Sequence, residues 1–338
     1  MNIKALGIDI AKNVFELHGV DINGKIVLKQ RVSRDKLLEV IAQLPVCLIG
    51  IEACGGSHHW GRKFRSMGHD VRLMNPQFVK PYVKSNKNDS NDAEAICEAV
   101  QRPSMRFVGI KNIEQQDILA IHRVRERLVK TRTAIINQTR GLLMEYGIVV
   151  AQSTAQIRKK LMGIIDDTSN ELTSLGRELF RDLQMQFYTV DEKISEYDKK
   201  IDRLCRENET CKRLTQVQGV GAITATALVA TIGNANVFKN GREMAAFIGL
   251  VPKQHSSGGK QVLLGISKRG DRYLRYLLVH GARAVMSRRT HLPTKKGLWL
   301  KSLEERRGRN RATIALANKN ARVLWAMMAR QEDYRAIA

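Results

Sequence analysis

In the first hundred residues the apolar positions fall in short runs broken by turn formers, a pattern of strands and short helices. Ala5 to Ile10, Val14 to Val20 and Ile26 to Val32 are three such runs, and Asp21-Ile22-Asn23-Gly24 supplies a turn between the last two. They predict a three-stranded meander. Ser33 then reads as the N-cap of a helix that buries Leu37, Leu38, Val40, Ile41 and Leu44 and stops at Pro45. Val46 to Ala53 is almost wholly apolar, as expected of a central strand covered on both faces, and it ends in Gly55-Gly56. Ser57 reads as the cap of a helix through Met67, Val71 to Met74 as a fifth strand, and Asp89 to Val100 as a closing helix.

From Glu114 the period lengthens. Ile121, Val124, Leu128, Ile135, Leu142 and Tyr146 fall largely on steps of three, four or seven, surrounded by arginines. Leu172, Leu175, Leu179, Leu183, Phe187, Val190, Ile194, Tyr197, Ile201 and Leu204 keep a near-heptad stripe, the pattern of a coiled coil. Two such helices can pair antiparallel within one chain or join different chains, and the pattern does not choose. Residues 149–169 between them contain breaks and a shorter helix.

The last third reads as a separate helical unit. Leu214, Val217, Gly219, Val220, Gly221, Ala225 and Leu228 match a helix-hairpin-helix, whose glycine turn lets backbone amides approach a phosphate. Next comes Lys253-Gln254-His255-Ser256-Ser257-Gly258-Gly259-Lys260, then Lys268-Arg269-Gly270, and Asp271 as the cap of a helix carrying Arg272 and Arg275. The expected organisation is residues 1–112 as an α/β domain, 113–210 as long helices that mediate oligomerisation, and 211–338 as a helical domain.

Charge names the class of partner. With 57 Lys and Arg against 33 Asp and Glu, the formal charge is +24 over 338 residues, which points to a polyanion. A membrane is not expected: no apolar run approaches the roughly eighteen residues of a spanning helix, and no signal peptide is visible. The odd set of five cysteines has no C-x-x-C pair, so it reads as reduced and structural in a cytoplasmic, nucleoid-associated protein.

Against this basic background stand four acids, Asp9, Glu52, Asp89 and Asp92. Each alone has an ordinary explanation: a turn or edge residue for Asp9, and helix N-terminal acids for Asp89 and Asp92. Glu52 is harder to dismiss, because it closes an apolar strand. The element order resembles a ribonuclease-H-like mixed sheet of five strands, in which the first and fourth strands are neighbours and the last helix crosses near them. That resemblance implies convergence of all four carboxylates, a repulsive arrangement that divalent cations would offset. For the basic positions Lys260, Lys268, Arg269, Arg272 and Arg275, and for Gly219 and Gly221, phosphate contact is the expected role. His58 and His59 follow Glu52 closely but read as surface residues at a helix start.

Taken together, GIDIAK, GIEACGG, DSNDAEA, QGVGAITATAL, FIGLVPKQHSSGGK and ISKRGDRYLR closely resemble the DEDD insertion-sequence transposases, bridge-RNA-guided recombinases with a RuvC-like amino-terminal domain. The resemblance runs nearly end to end. It implies that Asp9, Glu52, Asp89 and Asp92 are metal ligands for Mg²⁺, two ions per site with Mn²⁺ as a substitute. It implies that Ser257 is the nucleophile; Ser256 stands beside it, but Ser257 directly precedes the glycine pair. Donor and target DNA, a structured guide RNA from the element, and a dimer or tetramer of the chain are the implied partners. No G-x-x-x-x-G-K-[ST] loop is present, in keeping with strand exchange without ATP. Two rivals remain at this level: a RuvC-like junction resolvase that cuts with water, and a non-catalytic nucleic-acid-binding protein.

Overall fold

The computed structural model describes residues 2–84, 88–288 and 294–335. The chain divides into two units, Met1–Glu114 and Gln115–Ala338.

The first unit is built on a six-stranded mixed sheet in the order β3-β2-β1-β4-β5-β6. Its strands are β1 (Ala5–Ile10), β2 (Val14–Val20), β3 (Ile26–Ser33), β4 (Leu48–Glu52), β5 (Asp70–Met74) and β6 (Phe107–Val108). The meander forms as expected, with β1–β2 and β2–β3 antiparallel. Its second turn is tied by the Asp21 carboxylate, which accepts from the amides of Asn23 and Lys25. The first and fourth strands are parallel neighbours, as are the fourth and fifth. The expected five strands become six because two-residue β6 adds antiparallel to β5. Two residues are too few to show a period.

Among the described residues this unit also carries the α-helices α1 (Leu37–Ala42), α2 (Ser57–Ser66), α3 (Pro76–Val79) and α4 (Asp89–Val100). Side-chain alternation sorts the two faces of the sheet. Leu6, Ile8, Ile49 and Ile51 face one side, where they pack with Leu37 and Ile41 of α1 and with Trp60 and Phe64 of α2. Ala5, Gly7, Leu48 and Gly50 face the other, beneath α4. Two caps differ from expectation. Ser33 pairs with Val14 in the sheet, so α1 starts later, after Lys36, without a side-chain cap. Ser57 is the first residue of α2, which Gly56 precedes at φ +88°, and its hydroxyl donates to the Cys54 carbonyl instead.

The second unit carries α5 (Ile113–Glu145), α6 (Thr154–Asp166), α7 (Ser174–Glu207), α8 (Glu209–Leu214), α9 (Ala222–Ile232), α10 (Gly241–Phe247), α11 (Arg272–Arg288), α12 (Lys295–Arg307) and α13 (Arg309–Arg330). The choice left open for the long helices is resolved. Arg125 of α5 pairs with Asp198 of α7, and Arg132 with Asp191, so the partner number falls as the α5 number rises: the helices run antiparallel within one chain. Their apolar contact is built from Ile135, Ile136 and Leu143 against Phe180, Leu183 and Phe187, with α6 packed on through Ile157, Leu161 and Ile165.

A second core gathers α8 to α13 around Leu228, Met244, Leu278 and Leu316. At its edge His122 of α5 is buried between Tyr273 of α11 and Thr226 of α9, with ring nitrogens 3.1 Å and 3.0 Å from their hydroxyls. Burial, and then the nearby Arg125 charge, hold His122 down at about 4. The carboxy-terminal region is not wholly helical as expected: β7 (Pro252–Ser257) and β8 (Lys260–Ile266) form a two-stranded antiparallel hairpin.

Candidate active site

The acids of the first unit are positioned by a repeated tripeptide. Gly7-Ile8-Asp9 lies in β1 and Gly50-Ile51-Glu52 in β4, and Gly7 is the register partner of Gly50 across the parallel pair. The two glycines make a flat floor on which α4 rests. A Cβ on Gly7 would lie 2.8 Å from the Cys97 Cβ and closer still to the Ala93 carbonyl and the Cys97 amide; one on Gly50 would lie 2.7 Å from the Val100 Cβ. Bare backbone at both positions therefore sets the height of α4 above the sheet. Two residues further on, the same sheet face presents Asp9 and Glu52.

The N-terminus of α4 completes the group. Asn88 caps it, its side chain accepting from the Asn91 amide at 2.8 Å, and Asp89 and Asp92 occupy the first turn, where the helix dipole favours negative charge. Carboxylate oxygens of Asp9, Asp89 and Asp92 all lie within 4.8 Å of one another. Glu52 stands outside that tight trio but on the same sheet face. Its charge and that of Asp9 both act on the Cys54 thiol, which is pushed up first by burial and then by the two carboxylates. An all-oxygen set of this size fits a hard divalent cation. His58 is used elsewhere: its Nδ1 accepts from the Lys111 amide at 3.2 Å, and its Nε2 lies 3.1 Å from the Lys111 ammonium. His59 is held below the usual histidine range, first by burial and then by Arg62, Lys63 and Arg34.

The serine pair lies in the other unit. Ser257 ends β7, and Gly258 and Gly259, at φ +55° and +78°, form the two-residue connection to Lys260. Two successive positive φ angles are what a tight hairpin demands, so the glycines build a defined turn rather than a loose loop. Ser257 is directly opposite Lys260, and His255 opposite Val262, so Ser257, Lys260 and His255 share one face. Ser256 faces the other way and accepts a hydrogen bond from Gln254 Nε2 at 2.9 Å.

Comparison with known proteins identifies the family. A family model described as "Transposase", of the DEDD type, matches residues 6–148, and one described as "Transposase IS116/IS110/IS902 family" matches residues 211–296. The chain is 49% identical to the transposase for insertion sequence element IS1111A of Coxiella burnetii, over 99% of its own length and 92% of that protein. It is 46% identical to a probable family 20 transposase of Pseudomonas aeruginosa, over 99% of both. It is 40% identical to the transposase for insertion sequence element IS1328 of Yersinia enterocolitica, over 96% of this chain and 97% of that one. The chain belongs to the IS116/IS110/IS902 family of transposases.

It is therefore an enzyme of a mobile insertion sequence, and DNA is its substrate. Among the described residues of the transposase no helix is long and apolar enough to cross a membrane. The basic positions have varied surroundings. Lys260, Lys268, Arg269 and Arg272 are exposed, but Arg275 donates to the Ile248 carbonyl at 2.8 Å and the Arg269 carbonyl at 3.3 Å, bracing the turn before the hairpin. Gly221 precedes α9 with open space about its α-carbon. Gly219 instead packs back to back with Gly281 of α11. The residues that sequence reasoning passed over are Gly7 and Gly50; the signal was present in the doubled Gly-Ile-acid pattern.

Proposed function

We propose that this transposase cuts and rejoins DNA through a covalent serine–DNA intermediate, with Asp9, Glu52, Asp89 and Asp92 holding divalent cations, Mg²⁺ in the cell. The observation that carries the reading is the approach of three carboxylates to within 4.8 Å of one another, where α4 packs closely on the glycines of the sheet. Bound there, cations would offset the mutual repulsion of the acids and stabilise charge on phosphate oxygens. Ser257 supplies the nucleophile: its Oγ loses a proton, bonds to phosphorus, and displaces one bridging oxygen of the strand, which leaves as a hydroxyl. In this reading the Lys260 ammonium, across the hairpin from Ser257, would favour the ionised serine, and His255, two residues earlier on the same face, would take its proton as the loop closes on DNA. A hydroxyl from a second strand end then reverses the step, so the number of phosphodiester bonds is conserved and no ATP is required.

The acids and the serine belong to different units of the chain, so the reaction needs an assembly that unites them, within one protomer or between protomers of a dimer or tetramer. In this reading a structured RNA from the element selects donor and target by base pairing. The net charge of +24 suits two polyanions at once, and salt should weaken the complex steeply.

The experiment is a denaturing gel of protein incubated with element-end DNA, flanking RNA and Mg²⁺. A protein–DNA adduct should form, persist in Ser256→Ala and vanish in Ser257→Ala. An adduct that survives Ser257→Ala removes the nucleophile; cleavage with no adduct in the unaltered protein favours a water-using nuclease.

A further inference from the structure

A groove of about 1920 Å³ runs along one face of α13, bounded by α12, the start of α10 and the root of the β7–β8 hairpin. It lies wholly within the second unit and is distinct from the acid cluster, the serine turn and the helix-hairpin-helix. Small-molecule sites hold about 300–1,000 Å³, so this groove is larger than a metabolite needs. Its lining contains no acidic residue, while Arg242, Arg307, Arg311 and Arg322 project into it from three helices. All four are exposed, and among the described residues none is engaged in an ion pair. Four unneutralised guanidiniums on a concave surface call for an anionic occupant.

Part of the lining is of opposite character. Ile314 and Ala315 of α13 and Leu263 and Leu264 of β8 supply apolar groups to the groove, and Leu263 is 64% exposed and Leu264 48%. Apolar and cationic groups side by side in one groove fit an unpaired strand, whose bases rest on the apolar groups while its phosphates meet the arginines. A duplex keeps its bases stacked inside and would leave those apolar groups wet. The two tryptophans of the groove are already committed: Lys319 covers the Trp299 ring at 4.6 Å, and Trp325 donates Nε1 to the Ala235 carbonyl. The bases therefore rest on aliphatic side chains rather than on aromatic platforms.

Position selects between kinds of strand. β8 leads from the groove, at Leu263 and Leu264, back to Lys260 and the Ser257 turn. At about 3.4 Å per residue, that is roughly 10–15 Å of hairpin. We propose that the groove holds the unpaired DNA segment flanking the phosphate that Ser257 attacks. The assignment of DNA, rather than another anion, rests on the serine reading above. Lining residues 311 to 326 of α13 span about 22 Å, enough for roughly six stacked nucleotides.

The test is fluorescence anisotropy with labelled single-stranded DNA of four to twelve nucleotides, the same sequences as RNA, and the matching duplex. It is run without divalent metal and in a Ser257→Ala background, so that it reads binding apart from chemistry. Affinity should rise with length to about six nucleotides and then level, with single-stranded DNA preferred. With four phosphate contacts, the slope of log K against log salt should be near −3, at about −0.7 per contact. Arg311→Gln/Arg322→Gln should flatten that slope by about 1.4 and weaken binding at least tenfold, with an unchanged melting temperature to certify the fold. Leu264→Asp should weaken binding through lost apolar contact and added repulsion of phosphate. An unchanged slope in the double variant, or preference for RNA or duplex carried by the same arginines, overturns the proposal. So does concentration-dependent self-association that Leu264→Asp abolishes while DNA binding persists, since the groove would then be an interface between copies of the chain. If Ser257 fails as nucleophile yet this binding holds, the catalytic reading falls and the groove stands.

Discussion

Gly7→Ala is the smallest change that should separate the acids from one another without touching any of them. The added Cβ would lie 2.8 Å from the Cys97 Cβ and nearer to the Ala93 carbonyl and the Cys97 amide, whereas ordinary contact begins at 3.4 Å. The Ala93 carbonyl, at 2.2 Å, is the nearest obstacle, so α4 must lift by about 1.2 Å to restore ordinary contact, because the closest obstacles are its own backbone and not a side chain that can rotate. Overpacking of this kind costs about 1–3 kcal/mol. The functional cost should be larger. Asp89 and Asp92 ride on the lifted helix while Asp9 stays in the sheet, and a cation demanding ligands at about 2.0–2.1 Å does not tolerate such a shift. Misplacement by about 1 Å costs on the order of 10²-fold in rate. Strand transfer and thermal melting should be measured together for Gly7→Ala, for Gly50→Ala, and for Gly109→Ala, where a Cβ meets nothing within 4 Å. We expect activity to fall about a hundredfold in the first two, with melting lowered by a few degrees, and neither to change in the third. Gly7→Ala with unaltered activity would refute the argument that the floor positions the acids.

Two further outcomes concern the second unit. His122 is neutral between Tyr273 and Thr226, with its value depressed from 6.5 to about 4. The unfolded chain binds this proton more readily, so stability should be complete above about pH 6.5 and decline as pH falls toward 4, by at most about 3 kcal/mol. Melting curves across that range should show the decline, and His122→Gln should flatten it. Asp191 bridges Arg132 of α5 and Arg158 of α6 from its place on α7, its carboxylate held below the usual range by their hydrogen bonds and charges against the opposing effect of burial. Asp191→Ala should cost about 1–2 kcal/mol in denaturant unfolding, because two partly shielded guanidiniums lose their acceptor.

Much of the first unit was legible because β1 and β4 are nearly continuous apolar runs and the turn between β2 and β3 is an Asp-x-Asn-Gly sequence. Asp89 to Val100 was legible to the residue, since Asn88 caps it and a small apolar face follows. What failed did so where tertiary pairing overrode local chemistry. Ser33 is a good cap by composition, but the sheet uses it as the partner of Val14. β7 and β8 are exposed on both faces, so Pro252 to Ile266 shows no burial alternation, and no hairpin was expected within the helical domain. The direction of α5 against α7 could not come from a heptad stripe, which is symmetric in this respect; it is set by Arg125–Asp198 and Arg132–Asp191, pairs more than fifty residues apart. Of the candidate site, the acids were legible as residues, but their convergence depends on Gly7 and Gly50, whose role appears only once α4 is seen lying on them.

The most direct test of the account is metal binding itself, read without any DNA. Mn²⁺ titrated into the protein and followed as loss of the free-ion electron paramagnetic resonance signal should show saturable binding, competed by Mg²⁺, and Asp9→Asn/Asp92→Asn should abolish it while melting no lower than the unaltered protein in the absence of metal. Equal Mn²⁺ uptake by the unaltered protein and the double variant would contradict the claim that these carboxylates gather to hold a cation.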